Sequence, residues 1–290
     1  VFRQSVVNLL TAMFPGSGAM ALQMRISAFH VIFNVTTTCL LLPFVKQIVA
    51  FSRFVIKDKT EHKETFALKY VDNRLLSMTP VALMQVKKEI EYMMSLVEKN
   101  IGLSFYAEET KSVDDGEEIH KNEDIIDFTN TALTDFLIKL SVDVQQSDET
   151  VIGSYFHVLN DLERIGDHAE NIFDIVEDMR RKKLSFSMQA QEKIRVMYNK
   201  VTEMFTISRD AFETGDKTRL TKLSELENEV DGLKRKLTAE HFTRLAEGQC
   251  NVECSPYYSS LISGLERVAD HLVNVGYSIT NPTGSQKETV

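Results

Sequence analysis

The sequence contains no tryptophan, and only 12 glycines and 5 prolines are spread over its 290 residues. A chain so poor in helix breakers and turn formers favours helix over sheet. Cysteine is also scarce, with three residues, Cys39, Cys250 and Cys254. An odd and small number of cysteines excludes the disulfide framework of small secreted domains, and it is typical of proteins in a reducing compartment.

The motifs of several enzyme classes are absent as well. The sequence has no glycine-rich phosphate-binding loop, no Gly-x-Ser-x-Gly nucleophile elbow and no His-Glu-x-x-His zinc motif. Catalysis is therefore the least supported class of function, and we expect a protein that is not an enzyme. Basic residues are in deficit, because the formal net charge is -9. A chain this acidic is not expected to bind nucleic acid, whereas it can attract cations.

The first 60 residues contain one long uncharged segment. From residue 26 to residue 45 the sequence reads ISAFHVIFNVTTTCLLLPFV, which is 20 residues without a formal charge. A helix of about 20 apolar residues crosses a hydrocarbon core of about 30 Å. The basic residues that flank it are Arg25 on one side and Lys46, Arg53, Lys57, Lys59 and Lys63 on the other. The positive-inside rule then predicts a cell-membrane location with the residues after about 60 in the cytoplasm; the alternative is a buried helix of a soluble protein.

Two polar residues, His30 and Asn34, interrupt this apolar segment. They are four residues apart, so they share one face of a helix. Polar groups at such a depth face protein or a water-filled cavity, or they hydrogen-bond to neighbouring helices. We therefore expect partner helices from an upstream transport domain or from another chain. The first residue is Val1 rather than methionine, and we expect the sequence to be a C-terminal piece of a longer protein.

The residues after about 60 have a different pattern, in which charged residues are frequent and apolar residues recur at helical spacing. One example is the stripe formed by Ile90, Met93, Met94, Val97 and Ile101. The polar run at residues 111–118 predicts a loop, and Gly215-Asp216 predicts a turn. The pattern predicts six helices, near residues 79–104, 121–146, 149–182, 187–214, 217–247 and 255–278.

This part of the chain contains an internal repeat. The segment DLERIGDHAENI at residues 161–172 recurs without gaps as GLERVADHLVNV at residues 264–275. A second acidic pair recurs at nearly the same offset, since Glu123 and Asp127 correspond to Glu227 and Asp231. Self-similarity at a fixed offset indicates a duplicated unit, here about 100 residues long, which is enough for a three-helix bundle.

Paired Glu-x-x-x-Asp motifs on the second and third helices of two three-helix bundles resemble the signature of the PhoU phosphate-signalling family. The run RLLSMTPVALMQVKKEI, residues 74–90, is similar to the first PhoU helix as it occurs fused to sodium/phosphate cotransporters. Upstream, MRISAFHVIFN, residues 24–34, resembles the end of a repeat in the type II sodium/phosphate cotransporter family. The QSSS segments and Gly-Asn-x-Gly-Thr-Thr-like segments of that family's transport site do not occur in this sequence.

The resemblance implies an all-α fold with two parts. Residues 1–60 would be a transmembrane helix segment that ends a cotransporter-like transport domain. Residues 70–280 would form a PhoU-like pair of three-helix bundles, with repeats at about 70–182 and 187–280. It implies sodium-dependent phosphate transport by the full-length protein, with sodium and phosphate as transported ions and the cytosolic domain as regulator. The alternative is a membrane-anchored PhoU-like regulator or adaptor without transport activity of its own.

PhoU-family proteins are associated with multinuclear iron or zinc clusters on these acidic pairs, and magnesium and manganese are the alternatives. By resemblance the metal ligands form two sets, which are Glu123, Asp127, Glu163 and Asp167 in the first half and Glu227, Asp231, Glu266 and Asp270 in the second. Salt bridges to Arg164 and Arg267 could instead absorb the charge and leave an acidic face without an ion.

The partners implied are the upstream transport domain or the chain's own transmembrane helices, and the membrane, but not nucleic acid. A homo-oligomer is compatible with the sequence. A structural helical scaffold is the remaining alternative, and it differs from the other two in requiring none of the acidic pairs.

Overall fold

The computed structural model describes residues 2–16, 18–47 and 66–280. The chain divides into two compact units, Val1–Thr65 and Phe66–Val290. Every regular element within the described residues is a helix, which confirms the predicted fold class.

The first unit contains helices α1, Phe2–Met13, and α2, Ala19–Leu41, with a short 3-10 turn at Leu42–Phe44. The Arg25 guanidinium, on α2, donates hydrogen bonds to the Phe14 carbonyl at 3.0 Å and the Gly16 carbonyl at 2.6 Å. These bonds satisfy carbonyl groups at the end of α1, so they fix the turn between the two helices.

One helical stretch of the first unit, Met20–Gln47, is long and apolar enough to cross a membrane by its length and composition. Its mean hydropathy is 1.7 and none of its most apolar window is buried. The stretch starts before the predicted segment and includes Arg25. His30 and Asn34 are both exposed on it. Of the flanking basic residues, Arg53, Lys57, Lys59 and Lys63 lie outside the described residues.

Six long helices form the second unit. They are α3, Thr79–Thr110; α4, Gly116–Leu140; α5, Gln146–Arg181; α6, Met188–Thr214; α7, Leu220–Ala246; and α8, Ser255–Tyr277. Short 3-10 turns occur at Asn73–Ser77, Ser141–Asp143 and Val252–Cys254. Helices α3, α4 and α5 pack on one another, as do α6, α7 and α8, and the two sets are joined by α5 against α8 and by α3 against α6. One continuous apolar core runs through both sets.

The predicted ends of α3 and α4 were wrong. Helix α3 continues to Thr110 and stops where Lys111 takes a left-handed conformation, φ 60°. Its last turns are held by tertiary packing, because the buried Phe105 ring stacks on Tyr198 of α6 with ring centroids 3.6 Å apart. The supposed loop at 111–118 is therefore shorter than expected.

Helix α4 begins at Gly116, five residues earlier than predicted, and ends at Leu140 rather than near residue 146. A Cβ atom at Gly116 would lie 2.6 Å from the Phe173 ring of α5, so glycine permits a close approach of the two helices. Ile119, which is fully buried beside Phe173, extends the core into this first turn. The chain then turns through Ser141–Asp143 and is extended at Val144.

A buried polar contact joins the two halves. Asp161 of α5 is 8% exposed, and its carboxylate oxygen Oδ1 contacts two side chains of α8. His271 Nδ1 lies 2.8 Å from this oxygen, and the Asn274 amide donates to it at 3.2 Å. Glycine stands at the corresponding position of the second repeat, Gly264, so the contact has no equivalent there.

We expect Asp161→Ala to lower the free energy of unfolding by about 1–3 kcal/mol, because it removes the acceptor of two side chains at the joint between the halves. The measurement is urea unfolding followed by circular dichroism, in the presence of a chelator so that metal binding does not contribute. Asp114→Ala, at an exposed position, is the control. Equal stability of the two variants would show that the contact does not hold the halves together.

Candidate functional site

The eight predicted acidic residues lie on four helices that form two neighbouring pairs. In the first half, Glu123 and Asp127 are on α4 and Glu163 and Asp167 are on α5. In the second half the acids lie on α7 and α8, namely Glu227, Asp231, Glu266 and Asp270. Each pair consists of consecutive helices joined by a short connection, so the helices run antiparallel and their acidic faces meet.

Glu123 is the most deeply buried of these acids. Its side chain is 6% exposed, and neither carboxylate oxygen has a hydrogen-bond partner. Gly166 of α5 makes the room for it, since a Cβ atom there would lie 2.7 Å from Glu123 Oε2. A buried carboxylate with no donor is a costly arrangement in a folded protein. The geometry of the pocket therefore requires either a proton or a cation at Glu123.

The electrostatic surroundings of Glu123 agree with this requirement. Burial is the main cause that raises its pKa, to about 8, and the neighbouring carboxylates of Asp127, Glu170, Asp167 and Glu163 raise it further. Burial and neighbouring acids also raise the pKa of Asp127.

Two acids of the first half have basic neighbours, since Glu163 lies near Arg164 and Glu170 Oε1 lies 2.6 Å from His120 Nδ1. Burial and the carboxylate of Asp167 raise the pKa of Glu163, while Arg164 lowers it in part. The Arg164 guanidinium lies 3.9 Å from the Glu163 carboxylate. This is the ion pair foreseen as an alternative to metal, but it does not reach Glu123. A cluster of oxygen donors with such repulsion fits a multivalent cation.

The second half brings its acids closer together but supplies its own cations. Single oxygens of Asp231, Glu266 and Asp270 lie within 4.8 Å of one another, the one such trio found among the described residues. The Lys234 ammonium lies 2.7 Å from Glu266 Oε2, and the Arg235 guanidinium lies 3.6 Å from Asp231 Oδ2. Burial raises the pKa of Asp270, with Glu266 and Asp231 adding to it and Lys234 opposing it.

Glu227, the fourth predicted ligand of the second half, is half-buried rather than buried. Burial, Asp270 and Asp231 raise its pKa. The counterpart of Gly166 in this half is Ala269. Ala269 is 1% exposed, so the second half carries a buried methyl group at the position where the first half has glycine.

Sequence reasoning missed three residues that distinguish the two clusters. Gly166 admits the Glu123 carboxylate, Glu170 adds a fifth acid to the first cluster, and Lys234 forms an ion pair with Glu266 in the second. Their counterparts in the other repeat are Ala269, Val273 and Asn130. A comparison of the repeats at the positions where they differ, rather than where they agree, would have found all three. His30 and Asn34 belong to the first unit and stay a prediction.

We expect the stability of the metal-free protein to fall as the pH rises from about 4.5 to about 8. The folded state keeps the Glu123 proton to a higher pH than the unfolded state, whose pKa is near the ordinary value of 4.5. Since one pKa unit corresponds to about 1.4 kcal/mol, the loss is at most about 5 kcal/mol. Glu123→Gln should flatten this dependence, so that the variant is more stable than the natural protein at pH 9 but not at pH 5.

Urea unfolding at several pH values, in a chelator, measures the difference. Glu225→Gln, at an exposed position of α7, is the matched control and should leave the profile of the natural protein unchanged. The same pH profile in the natural protein and in Glu123→Gln would contradict the assignment.

Known proteins resemble the chain over different lengths. The Escherichia coli K12 protein named "Putative inorganic phosphate export protein YjbB" is 21% identical over 257 residues, which cover 87% of this chain and 47% of YjbB. The chain thus spans about half the length of this relative. A PhoU homolog from Clostridium acetobutylicum, named a phosphate-specific transport system accessory protein, is 27% identical over 195 residues, covering 66% of this chain and 87% of that protein.

Solved structures share the helical architecture. PhoU from Pseudomonas aeruginosa superimposes with a TM-score of 0.64 at 21% sequence identity, over 68% of this chain and 94% of that one. The phosphate transport system regulatory protein PhoU from Streptococcus pneumoniae also gives a TM-score of 0.64, at 20% identity, over 73% of this chain and all of that one. These likenesses establish the fold of the helical bundles.

The sequence model of the PhoU domain matches twice, at residues 90–176 and at residues 194–279. The first match contains the acids of α4 and α5, and the second contains those of α7 and α8. Together the two matches cover more than half of the chain, and the chain therefore belongs to the PhoU domain family.

Proposed function

We propose that the second unit is a regulatory or accessory module of phosphate transport, held at the membrane by the apolar helix of the first unit. The PhoU domain match in both halves is the observation that carries this proposal. The names of the PhoU relatives, an accessory protein and a regulatory protein of phosphate transport systems, support it. The exposed apolar stretch Met20–Gln47 supports the tether, because an apolar helix with no protein cover requires lipid or partner helices. No catalytic step is assigned to the module.

A transport domain in the same polypeptide is the second candidate, and the coverage of YjbB favours it. The residues from Phe66 onward make up less than four-fifths of the chain, whereas the alignment with YjbB covers 87% of it. The similarity to YjbB therefore includes part of the first unit. The alignment with the PhoU homolog covers 66% of the chain, which the second unit alone is long enough to supply. Phosphate export or uptake by a longer protein would then be regulated in cis. Dependence on sodium stays a prediction.

We propose a metal as part of this regulation, with the first half as the principal site. Glu123, Asp127, Glu163 and Asp167 would hold the ion and Glu170 would add to the negative field. Iron or zinc is the first expectation, with magnesium or manganese as alternatives. The bound cation would neutralise the repelling carboxylates. The second cluster would bind more weakly, because Lys234 and Arg235 already compensate part of its charge.

The side chains of the first cluster suggest how occupancy would matter. Without a cation, Glu123 either keeps its proton or is repelled by the neighbouring carboxylates. In the second case the repulsion would push α4 away from α5 at Gly166. With the charge compensated, the two helices are held together through the acids of both. A ligand that favours one helix arrangement shifts the population of that arrangement. The surface that α4 and α5 present to a transporter would change with it.

We expect the purified full-length chain in detergent, stripped and reconstituted with Fe²⁺, Zn²⁺ or Mn²⁺, to retain metal that elemental analysis detects. Gly166→Ala should release most of it, because the new methyl group displaces the Glu123 carboxylate. The reverse change in the second repeat, Ala269→Gly, is the matched control and should retain it. Lys234→Gln should raise the amount bound, since it frees Glu266. Metal content that is the same in all four proteins, or absent from all, would contradict the proposed site.

We expect the loss of the second unit to alter how phosphate flux responds to external phosphate. The experiment expresses the complete natural protein in cells lacking other phosphate carriers, with and without residues 66–290, and follows radioactive phosphate in both directions. Flux that persists but no longer responds supports regulation in cis. Flux absent from the complete protein as well would reject transport by the same polypeptide, and unchanged, fully responsive flux would reject the regulatory role.

A further inference from the structure

A buried cation lies in the second half, away from the acidic clusters. Arg244, in the last turn of α7, is 9% exposed, and its Nε and Nη2 atoms have no hydrogen-bond partner. Within residues 66–280, no carboxylate lies at ion-pair distance from this guanidinium. Arginine cannot relieve its burial by losing a proton in the physiological range. The described acids therefore leave its charge without a contact ion pair.

No described neighbour of Arg244 forms a contact ion pair with it: Glu240, one turn earlier on α7, interacts with Arg244 only at longer range and pairs with Lys193. Burial lowers the pKa of Arg244, and the nearby Cys250 thiol and Tyr258 hydroxyl together raise it by more, although the Tyr258 hydroxyl does not reach hydrogen-bond geometry with the guanidinium. Burial raises the pKa of Tyr258, so the hydroxyl is neutral and can donate. This hydroxyl is itself buried and lacks a hydrogen-bond partner. The end of α7 offers a partial negative charge through its carbonyls, yet it leaves two guanidinium nitrogens unbonded.

These two unsatisfied side chains face one cavity. The cavity has a volume of about 210 Å³ and is lined by Arg244 and Tyr258 together with hydrophobic, thiol and uncharged polar groups, and by no aspartate or glutamate. Its polar walls include Ser185, Gln249 and Asn251. Because a water molecule takes about 30 Å³ of liquid volume, the cavity has room for a small ion and a few waters.

Two helix N-termini border the same cavity. Ser187, which caps α6, lines it, and so does Cys254, directly before the start of α8 at Ser255. The N-terminus of a helix carries a partial positive charge and favours anions. His241 is favoured in its neutral form, since burial, followed by Arg244, lowers its pKa, and its Nε2 atom lies 2.7 Å from Ser255 Oγ. Arg244 and the two helix N-termini therefore present positive charge to the cavity, against the partial negative charge of the carbonyls at the end of α7.

We propose that this cavity, between the ends of α6, α7 and α8, binds a small tetrahedral oxyanion, with inorganic phosphate as the ligand. Arg244 contributes the full positive charge and two free donors, and Tyr258 contributes a third. The planar guanidinium suits oxygen pairs of phosphate. The site is separate from the acidic cluster of the same half, because Arg244 follows Asp231 by 13 residues, about 20 Å along a helix. The inference does not rest on the proposed regulatory function.

Isothermal titration calorimetry of the full-length chain in detergent tests the site, with a chelator present so that phosphate cannot bind through a metal. Inorganic phosphate should bind and raise the melting temperature. Sulfate should compete with it, because it shares the tetrahedral oxygens. Glycerol phosphate tests whether the cavity takes a free ion or the phosphate group of a larger molecule. The limited cavity volume predicts that glycerol phosphate binds less tightly than inorganic phosphate.

Arg244→Gln should weaken phosphate binding by about tenfold or more, and Tyr258→Phe should weaken it several-fold, since each removes donors from the anion. Arg235→Gln is the control, because it removes an exposed arginine from the same helix. Tyr258→Phe keeps the test valid if the first variant does not fold. Absence of phosphate binding to the natural protein, or equal binding by the natural protein and by Arg244→Gln or Tyr258→Phe, would overturn the proposal, as would a loss in Arg235→Gln alone.

Discussion

Helices α5 and α8 pack against each other at the centre of the second unit, and each carries one acidic pair of its half. This contact constrains both clusters. A helix whose apolar face is packed can rotate little about its own axis, so the acids on its polar face also stay in place. Leu162 and Ile165 of α5 and Leu265 and Leu272 of α8 are all almost completely buried. The Ser208 hydroxyl of α6 donates to the Leu272 carbonyl at 2.7 Å, which fixes α8 from its other side. The like charges are thus held close by apolar burial elsewhere on the same helices.

The two halves resolve this repulsion in different ways. In the second half a lysine and an arginine from α7 approach the acids, and the cluster remains half-exposed to water, where screening reduces the cost. In the first half the glycine at 166 lets one carboxylate sink between the helices, where neither water nor a donor reaches it. The two halves therefore share their helix order and differ in the arrangement of charge. Among the described acids of the two clusters, only Glu123 of the first half is buried with no hydrogen-bond partner for its carboxyl group.

The amino-acid sequence was sufficient to predict the parts of the fold that depend on local pattern. Apolar spacing predicted six helices in the second unit, and the matching segments at 161–172 and 264–275 were enough by themselves to indicate the duplication. The pairing of acidic residues across antiparallel helices follows from the same two facts. The family match at residues 90–176 and 194–279 agrees with the resemblance on which the fold was predicted.

What could not be predicted depends on contacts between distant parts of the chain. The last turns of α3 exist because Phe105 stacks on Tyr198 of another helix. The low exposure of Glu123 depends on a glycine of α5, and the isolation of Arg244 depends on where α6 and α8 begin. A sequence shows that Arg244 is charged, but not that it is buried without a partner. Such features can be found only in the tertiary structure, because they depend on which hydrogen-bond and ion-pair partners a side chain lacks in the folded protein.

Glu123 and Arg244 differ from the ordinary ion pairs of this protein in a way that has functional meaning. Asp178 has Lys182, Tyr257 and Arg181 around it, which hold its pKa far below the usual range, and the protein itself satisfies its charge. Such exposed pairs contribute little to stability and require no ligand. Glu123 and Arg244 are buried, and the described residues leave their charges unsatisfied. Folding tolerates a buried charge when a partner compensates it, and this is the physical basis of the proposed cation at Glu123 and the proposed anion at Arg244. If both proposed ligands bind, coupling between the cation cluster of the first half and the anion cavity of the second would have to pass through α5 and α8, the helices that join the halves.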